Sequence, residues 1–267
     1  MSLAQDIVSA LAERGPVEKC QQVRSIFTNL VEPNLGPIPL LSDTPGREEQ
    51  PKLVPPSQVP KRRISRGIKG RFALLHALAH IELNAVNLAL DIAVRFGTKF
   101  GSEFVKDWLS VADDEAKHFL LLHDRLYSFG GKYGDLPAHD GLWMSAVATK
   151  DEPLARLAVV PMVLEARGLD VTPGMIKKLE LVGDIDSVSA LKVIYADEVN
   201  HVALGRKWFE HACKLENLEP VATWQSQVKL FFNGILKRPF NEPARTSAGM
   251  TPAYYEPLAD WYEAMGF

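Results

Sequence analysis

The chain has 267 residues, of which 46% are hydrophobic and 24% are charged, and its formal net charge is −3. These values are ordinary for a soluble globular protein and give no sign of a nucleic-acid or membrane partner. No uninterrupted run of about 18 apolar residues occurs, so we expect no membrane-spanning segment, and the charged N-terminal stretch "MSLAQDIVSALAERG" does not resemble a signal peptide. The two cysteines, Cys20 and Cys213, are expected to be buried reduced thiols in a cytoplasmic protein.

The N-terminal part, residues 1–64, is expected to pack on a helical domain. Residues 2–30 predict two short helices separated by Gly15 and Pro16. Residues 31–60 contain eight prolines and two glycines, which exclude a regular helix. Because apolar residues are spread through this segment, we expect an extended strap that lies on the domain.

The remaining chain shows helical periodicity throughout, and no strand pattern competes with it. The predicted long helices cover residues 65–97, 101–129, 151–183 and 186–215, the third with a break near Gly168 to Pro173. Shorter helices are predicted near 141–149, over 221–237 and close to the C-terminus. We therefore predict an all-α protein, with a four-helix bundle over 65–215 and a C-terminal helix and tail over 216–267.

A repeated motif lies within two of these helices. "DDEAKH" (113–118) and "ADEVNH" (196–201) both contain Asp-Glu-x-x-His, and their glutamates are Glu115 and Glu198. Each of these glutamates is preceded, at the same separation along the chain, by another glutamate. One metal-ligand set therefore occurs twice with identical internal spacing: Glu82, Glu115 and His118, then Glu165, Glu198 and His201.

The geometry of helices gives this spacing a meaning. Residues three apart lie on one face of a helix, so each Glu-x-x-His pair points in one direction. If each pair of helices forms an antiparallel hairpin, the upstream glutamate lies level with the downstream one. Ion pairs on solvated faces are the alternative, but the dense apolar surroundings of Glu82, Glu165 and Glu198 argue against them, and unpaired buried carboxylates are costly. The pattern predicts a dinuclear metal site.

One glutamate from each of two helices plus Glu-x-x-His from two others resembles the ferritin-like carboxylate di-iron superfamily. The stretches "HALAHIELNAVNLALD", "DEAKHF", "LEARGLD", "ADEVNHV" and "RPFNEPAR" are similar to a bacterial ferritin-like family of unknown function. The resemblance implies a ferritin-like four-helix bundle holding two iron ions, with manganese or a mixed pair also compatible. Our first hypothesis is an oxidase or oxygenase that uses O₂ and a small-molecule substrate, with an unspecified electron donor and a possible homodimer, although the family placement itself brings no substrate with it.

Four neighbouring residues receive supporting roles. Tyr195 is three residues before Glu198 and is expected to face the metals, as a catalytic residue or as packing. Asp114 and Asp197 precede the histidines by four residues, and each is expected to orient a ligand imidazole or to form an ordinary salt bridge. Arg167 is expected to pair with a carboxylate.

Three alternatives remain open from the sequence. The first is ferroxidase chemistry with iron storage, although the long segments that precede residue 65 and follow residue 215 would crowd a cage. The second is a non-catalytic helical bundle that is stabilised by its bound metal and binds a partner. The third is oxidation of an RNA base, as in ferritin-like tRNA hydroxylases, which only the basic run "KRRISRGIKGR" (61–71) favours.

Overall fold

The computed structural model describes residues 2–266, and among those residues its regular secondary structure is helical, with no β-strand. An isolated parallel bridge joins Leu53 and Ala138. The helices are α1 (Leu3–Ala12), α2 (Pro16–Thr28), α3 (Ile68–Phe100), α4 (Ser102–Ser128), α5 (Gly141–Ala148), α6 (Pro153–Val159), α7 (Ala166–Leu181), α8 (Ile185–Leu215), α9 (Pro220–Phe231), α10 (Glu242–Ser247) and α11 (Pro252–Ala264). A 3₁₀ turn covers Pro56–Gln58, and a π-helical segment, Val160–Glu165, joins α6 to α7.

The chain divides into two compact units. The first unit contains the chain before Met144 together with Ile176–Leu191, and the second contains Met144–Met175 together with the chain from Lys192 onward. The predicted division at residues 64 and 215 stays a prediction.

Helix α3 is the central helix of the first unit. It is long and apolar enough to cross a membrane by length and composition, but 78% of its most apolar window is buried inside the protein. The helix contains no uninterrupted apolar run of that length because scattered polar residues, such as Asn84 and Asn87, interrupt it. Burial on most faces is the pattern of a core helix in a soluble protein.

Helices α3 and α4 pack against each other and are joined by a single residue, Gly101. Gly101 has φ +87°, a conformation that glycine adopts without steric penalty. Helix α2 packs against α4, and α1 packs against both α2 and α3 through a buried face that includes Ile7 and Leu11. Gly101 therefore reverses the direction of the chain and brings the two long helices, α3 and α4, side by side.

The proline-rich strap, residues 31–60, belongs to the first unit and is hydrogen-bonded to α1 and to the segment before α5. The amide of Gly46 donates to the carbonyl of Leu11 over 2.8 Å, and the amide of Val54 donates to Ala138 over 2.8 Å. A Cβ at position 46 would lie 2.0 Å from the carbonyl oxygen of Ala12, so only glycine allows this approach. These bonds hold the strap through its backbone, and the buried side chain of Leu35, which lies beside Gly97 of α3, adds an apolar contact.

The second unit corrects one prediction. No break occurs between Gly168 and Pro173, because α7 continues through both residues. Proline at 173 leaves the carbonyl four residues earlier without its helical donor. That carbonyl, of Leu169, instead accepts a hydrogen bond of 2.9 Å from Nδ2 of Asn241. The irregularity lies earlier, in the π-helical segment.

The C-terminal region also differs in detail from the prediction. Helix α9 ends at Phe231 rather than near residue 237, and the remaining tail contains two helices, α10 and α11, rather than one. Helix α9 packs against α6 and α11, and the indole of Trp224 donates to the carbonyl of Ala158 over 3.2 Å. Helix α9 therefore belongs to the core of the second unit.

Candidate metal centre

The first half of the predicted site lies in the first unit. Glu82 lies on α3, and Glu115 and His118 lie one turn apart on α4. Nδ1 of His118 lies 3.3 Å from Oε2 of Glu82 and 3.3 Å from Oε2 of Glu115. All three side chains are buried, and one donor atom from each lies within 4.8 Å of the others. We call these three residues the first cluster.

Two buried carboxylates at this separation repel one another. Burial raises the pKa of Glu82 well above its ordinary range, and repulsion from Glu115 adds to the increase, while His118 opposes it. A positive charge between the carboxylates would relieve both effects. The first cluster therefore has the electrostatics of a cation site.

The second half lies in the second unit and repeats this composition. Glu165 is the last residue of the π-helical segment, and Glu198 and His201 lie one turn apart on α8. Nδ1 of His201 lies 3.8 Å from Oε2 of Glu198, and one donor atom from each residue lies within 4.8 Å of the others. Glu198 and His201 are buried and Glu165 is partly buried. We call these three residues the second cluster.

A close contact between α8 and the π-helical segment positions the second cluster. Gly205 follows His201 by one turn, and a Cβ at position 205 would lie 2.3 Å from Cβ of Pro161. Pro161 has no N–H and cannot continue an α-helical ladder, which accounts for the wider turn that surrounds it. The widened turn ends at Glu165 and sets the direction in which this carboxylate leaves the helix.

A segment of the C-terminal tail supports the same region, and sequence reasoning assigned it no role. The side chain of Asp170 is 0% exposed and that of Arg245 is 2% exposed, and Nη2 of Arg245 lies 2.7 Å from Oδ2 of Asp170. The backbone amide of Asn241 donates to Oδ1 of Asp170 over 2.9 Å. The signal that could have revealed this contact was Pro173, since the carbonyl it leaves free must find a donor.

Tyr195 contacts this tail segment. Nδ2 of Asn241 donates to the Tyr195 hydroxyl over 2.9 Å. Because an amide nitrogen can only donate, the hydroxyl oxygen accepts here and its own proton remains available to another acceptor. The predicted catalytic role of Tyr195 stays a prediction.

The other predicted neighbours lie in partly exposed positions. Nη1 of Arg167 lies 3.4 Å from Oδ2 of Asp170 and donates to the carbonyl of Lys237 over 2.8 Å. Nζ of Lys117 lies 2.7 Å from Oδ1 of Asp114, which is the ordinary salt bridge that we held as the alternative for that residue. Asp197 is half-buried beside Glu198. The roles of Asp114 and Asp197 in orienting the ligand imidazoles, and of Arg167 as the ion-pair partner of a carboxylate at the site, stay predictions.

The donor atoms suit a transition metal. Each cluster offers two carboxylates and one imidazole, and mixed oxygen and nitrogen ligation fits iron, manganese and zinc. The buried Glu and His groups can therefore hold a metal ion, whose identity the donor set alone does not select.

Comparisons with known proteins identify the family to which the chain belongs. Residues 12–256 match the family model described as "Protein of unknown function (DUF455)". The chain is also 39% identical over 263 residues to an uncharacterized protein of Haemophilus influenzae, an alignment that covers 92% of this chain and 90% of that protein. No solved structure gives a significant match. The chain is therefore a member of the DUF455 family.

Proposed function

We propose that the two clusters together form one dinuclear metal centre inside a ferritin-like four-helix bundle, and that iron is the metal. In this proposal, Glu82, Glu115 and His118 hold one ion, and Glu165, Glu198 and His201 hold the other. The single observation that carries the proposal is the repetition of a Glu, Glu and His cluster in each unit, in which every residue is buried except the partly buried Glu165.

The charges of the ligands support two divalent ions. Four carboxylates carry a total charge of −4 when ionised, and two imidazoles are neutral as ligands. Two divalent cations bring the sum to zero, which makes burial of the whole group tolerable. One divalent cation alone would leave two uncompensated negative charges in the core.

We further propose that the protein is an oxidase or oxygenase that acts on a small molecule. A dinuclear iron centre supplies the electrons for O₂ reduction when it is bound. The protein contributes a buried ligand set that excludes bulk water, and Tyr195 contributes a hydroxyl proton that Asn241 does not engage. We assign Tyr195 the role of donating that proton at the site.

Metal counting tests the centre. Protein purified without added metal is titrated anaerobically with ferrous iron, and bound metal per chain is measured. We expect two ions for the wild type, and fewer for Glu115→Ala and Glu198→Ala. Asp124→Asn is the matched control, because Asp124 is an exposed acid on the same helix as Glu115, and it should still bind two ions. Two ions in Glu115→Ala and Glu198→Ala would show that the ligand assignment is wrong.

Reaction with O₂ separates an oxidase from an iron-storage protein. A storage cage of many subunits elutes at a far higher mass and loads many ions, whereas a homodimer elutes near twice the 29.6 kDa mass of one chain and stops at two ions per chain. We expect the second result, together with oxidation of bound iron when oxygenated buffer is mixed with the reduced protein. A high-mass species that accumulates iron would replace the oxidase proposal with iron storage.

A further inference from the structure

The first unit contains a pocket that no step of the proposed chemistry uses. It lies between the strap and α3 and encloses about 430 Å³, including its solvent-open side. Its deeper part is narrow and admits only a small group. The residues that decide its chemistry are Arg14, Lys19, Arg47, Asn84, Asn87 and Tyr133.

Asn87 directs an unused donor into this pocket. Its Oδ1 accepts a hydrogen bond of 2.7 Å from Nζ of Lys19, and an ammonium group can only donate. The amide nitrogen of Asn87 must therefore point away from Lys19. Within residues 2–266 this nitrogen donates to no protein atom, although Asn87 is only 5% exposed. The nitrogen itself is not fully buried, so water or a small ligand in the pocket can reach it and accept its proton.

Asn84, one turn earlier on α3, offers a hydrogen-bond acceptor instead of a donor. Its Nδ2 donates to the carbonyl of His80 over 2.8 Å, so Oδ1 is left as an acceptor that lines the pocket. His80 contacts the Tyr133 hydroxyl over 2.8 Å. The floor of the pocket thus presents a donor and an acceptor on one face of α3.

Positive charge dominates the walls. Lys19 is buried and uses its three protons on Asn87 and on the carbonyls of Leu11 and Gly46. The guanidinium of Arg14 is anchored through Nε to the carbonyl of Arg47, and that of Arg47 through Nη2 to Asp140, which leaves the other N–H groups of both arginines available. Glu48 is the acid among the pocket residues; Glu48 and Arg14 are exposed, whereas Arg47 is partly buried.

We propose that this pocket binds a small oxyanion that also carries a hydroxyl, such as monohydrogen phosphate or a short hydroxy acid. The anionic oxygens accept from Asn87 and from the two arginines, and the hydroxyl donates to Asn84. Fork-shaped guanidinium groups are suited to phosphate and carboxylate oxygens. Lys19 contributes its charge without a free proton.

This site is separate from the metal centre. Asn84 and Asn87 follow Glu82 by two and five residues, which places them about 200° and 140° around the helix axis. Helix α3 therefore presents Glu82 on one side and the pocket on the other. The pocket does not depend on the metal assignment, and it can be tested with the protein in either metal state.

The test is calorimetric titration of the full-length protein with inorganic phosphate and, separately, with glycolate, at constant ionic strength set with chloride. We expect saturable binding of at least one of them, and the one that binds identifies the source of the oxyanion. Arg14→Gln should weaken binding about tenfold or more, because a hydrogen bond from a charged donor is lost. Arg66→Gln is the control, since Arg66 is exposed and lies outside the pocket, and it should bind as the wild type does.

Asn87→Asp is the sharper variant. A carboxylate at 87 retains an oxygen for Lys19 and keeps the fold, but it replaces the amide donor with a negative oxygen that repels an anion. We expect an unfolding midpoint at or above that of the wild type and complete loss of binding. Absence of saturable binding with both ligands, or wild-type affinity in Asn87→Asp, would overturn the proposal. If Asn87→Asp does not fold, wild-type affinity in Arg14→Gln would overturn it equally.

Discussion

Substitution of Gly205 by alanine tests how the second cluster is positioned. Gly205 lies on the same face of α8 as Glu198 and His201. An added Cβ would lie 2.3 Å from Cβ and 2.5 Å from Cγ of Pro161. Carbon atoms in contact are normally about 3.5–4.0 Å apart, so the two segments must separate by more than about 1 Å. The proline ring is tied to its own backbone and cannot rotate out of the way.

The expected loss is larger for metal binding than for folding. Forcing one extra methyl group into a packed interface costs about 1–3 kcal/mol. Metal–ligand distances, however, tolerate only about ±0.2 Å. A displacement of about 1 Å between Glu165 and the ligands on α8 exceeds that tolerance and removes a ligand. We therefore expect Gly205→Ala to bind one ion per chain instead of two.

The assay is anaerobic ferrous titration combined with urea unfolding of the metal-free protein. Gly174→Ala makes the same chemical change in helix α7, where a new Cβ meets nothing within 4 Å. That control should bind two ions and gain up to about 1 kcal/mol from its higher helix propensity. Two bound ions in Gly205→Ala, with an unfolding midpoint equal to that of Gly174→Ala, would refute the positioning argument.

Three further predictions concern residues around the two sites. Arg245→Met leaves the buried Asp170 carboxylate with only the longer ion-pair contact to Arg167 and should lower the free energy of unfolding by about 3 kcal/mol. Arg238→Met removes exposed ion pairs and should leave the urea midpoint nearly unchanged. Tyr195→Phe should retain the fold and two bound ions, because it deletes only a hydroxyl. When oxygenated buffer is mixed with the reduced protein, the ferric absorbance of this variant should increase at a different rate from that of the wild type. Identical absorbance traces would show that this tyrosine serves only in packing. Burial lowers the pKa of Lys19 from 10.5 to about 8, so between these two pH values the unfolded chain holds a proton that the folded protein has released. Stability from this group therefore rises with pH in that window, and the difference in unfolding free energy between wild type and Lys19→Met should rise with it; a flat difference would contradict the shift.

The sequence predicted the features that depend on local periodicity and on counting. Glu82 and Glu115 are separated by the same number of residues as Glu165 and Glu198. This separation depends on the lengths of the helices that it spans, so it can be counted directly in the sequence. The absence of a regular helix over residues 31–60 was predictable because of its prolines, whereas the close approach of Gly46 to α1 was not.

Features that depend on tertiary partners could not be predicted in the same way. Pro173 predicts a helix break by itself, and only the side-chain amide of Asn241, which lies in the distant C-terminal tail, makes the continuous helix tolerable. The wide turn at Pro161 likewise depends on Gly205, whose lack of a side chain leaves space for the proline ring. No sequence pattern near Pro161 indicates this contact. The amide orientation of Asn87 follows from a lysine in another helix.

The π-helical segment lets the chain carry one extra residue without changing the phase of the helix that follows it. A π turn holds one residue more than an α turn, and each residue of a regular helix turns the chain by about 100°. Removing one residue from the wide turn would therefore leave one α turn and keep Glu165 and Asp170 on their present faces. Conservative apolar exchanges at Val160 or Met162, both buried, would also leave the phase of the helix unchanged. A one-residue deletion in the regular helix between Glu165 and Asp170 would instead rotate one of these residues relative to the other, and would separate either Glu165 from its cluster or Asp170 from Arg245.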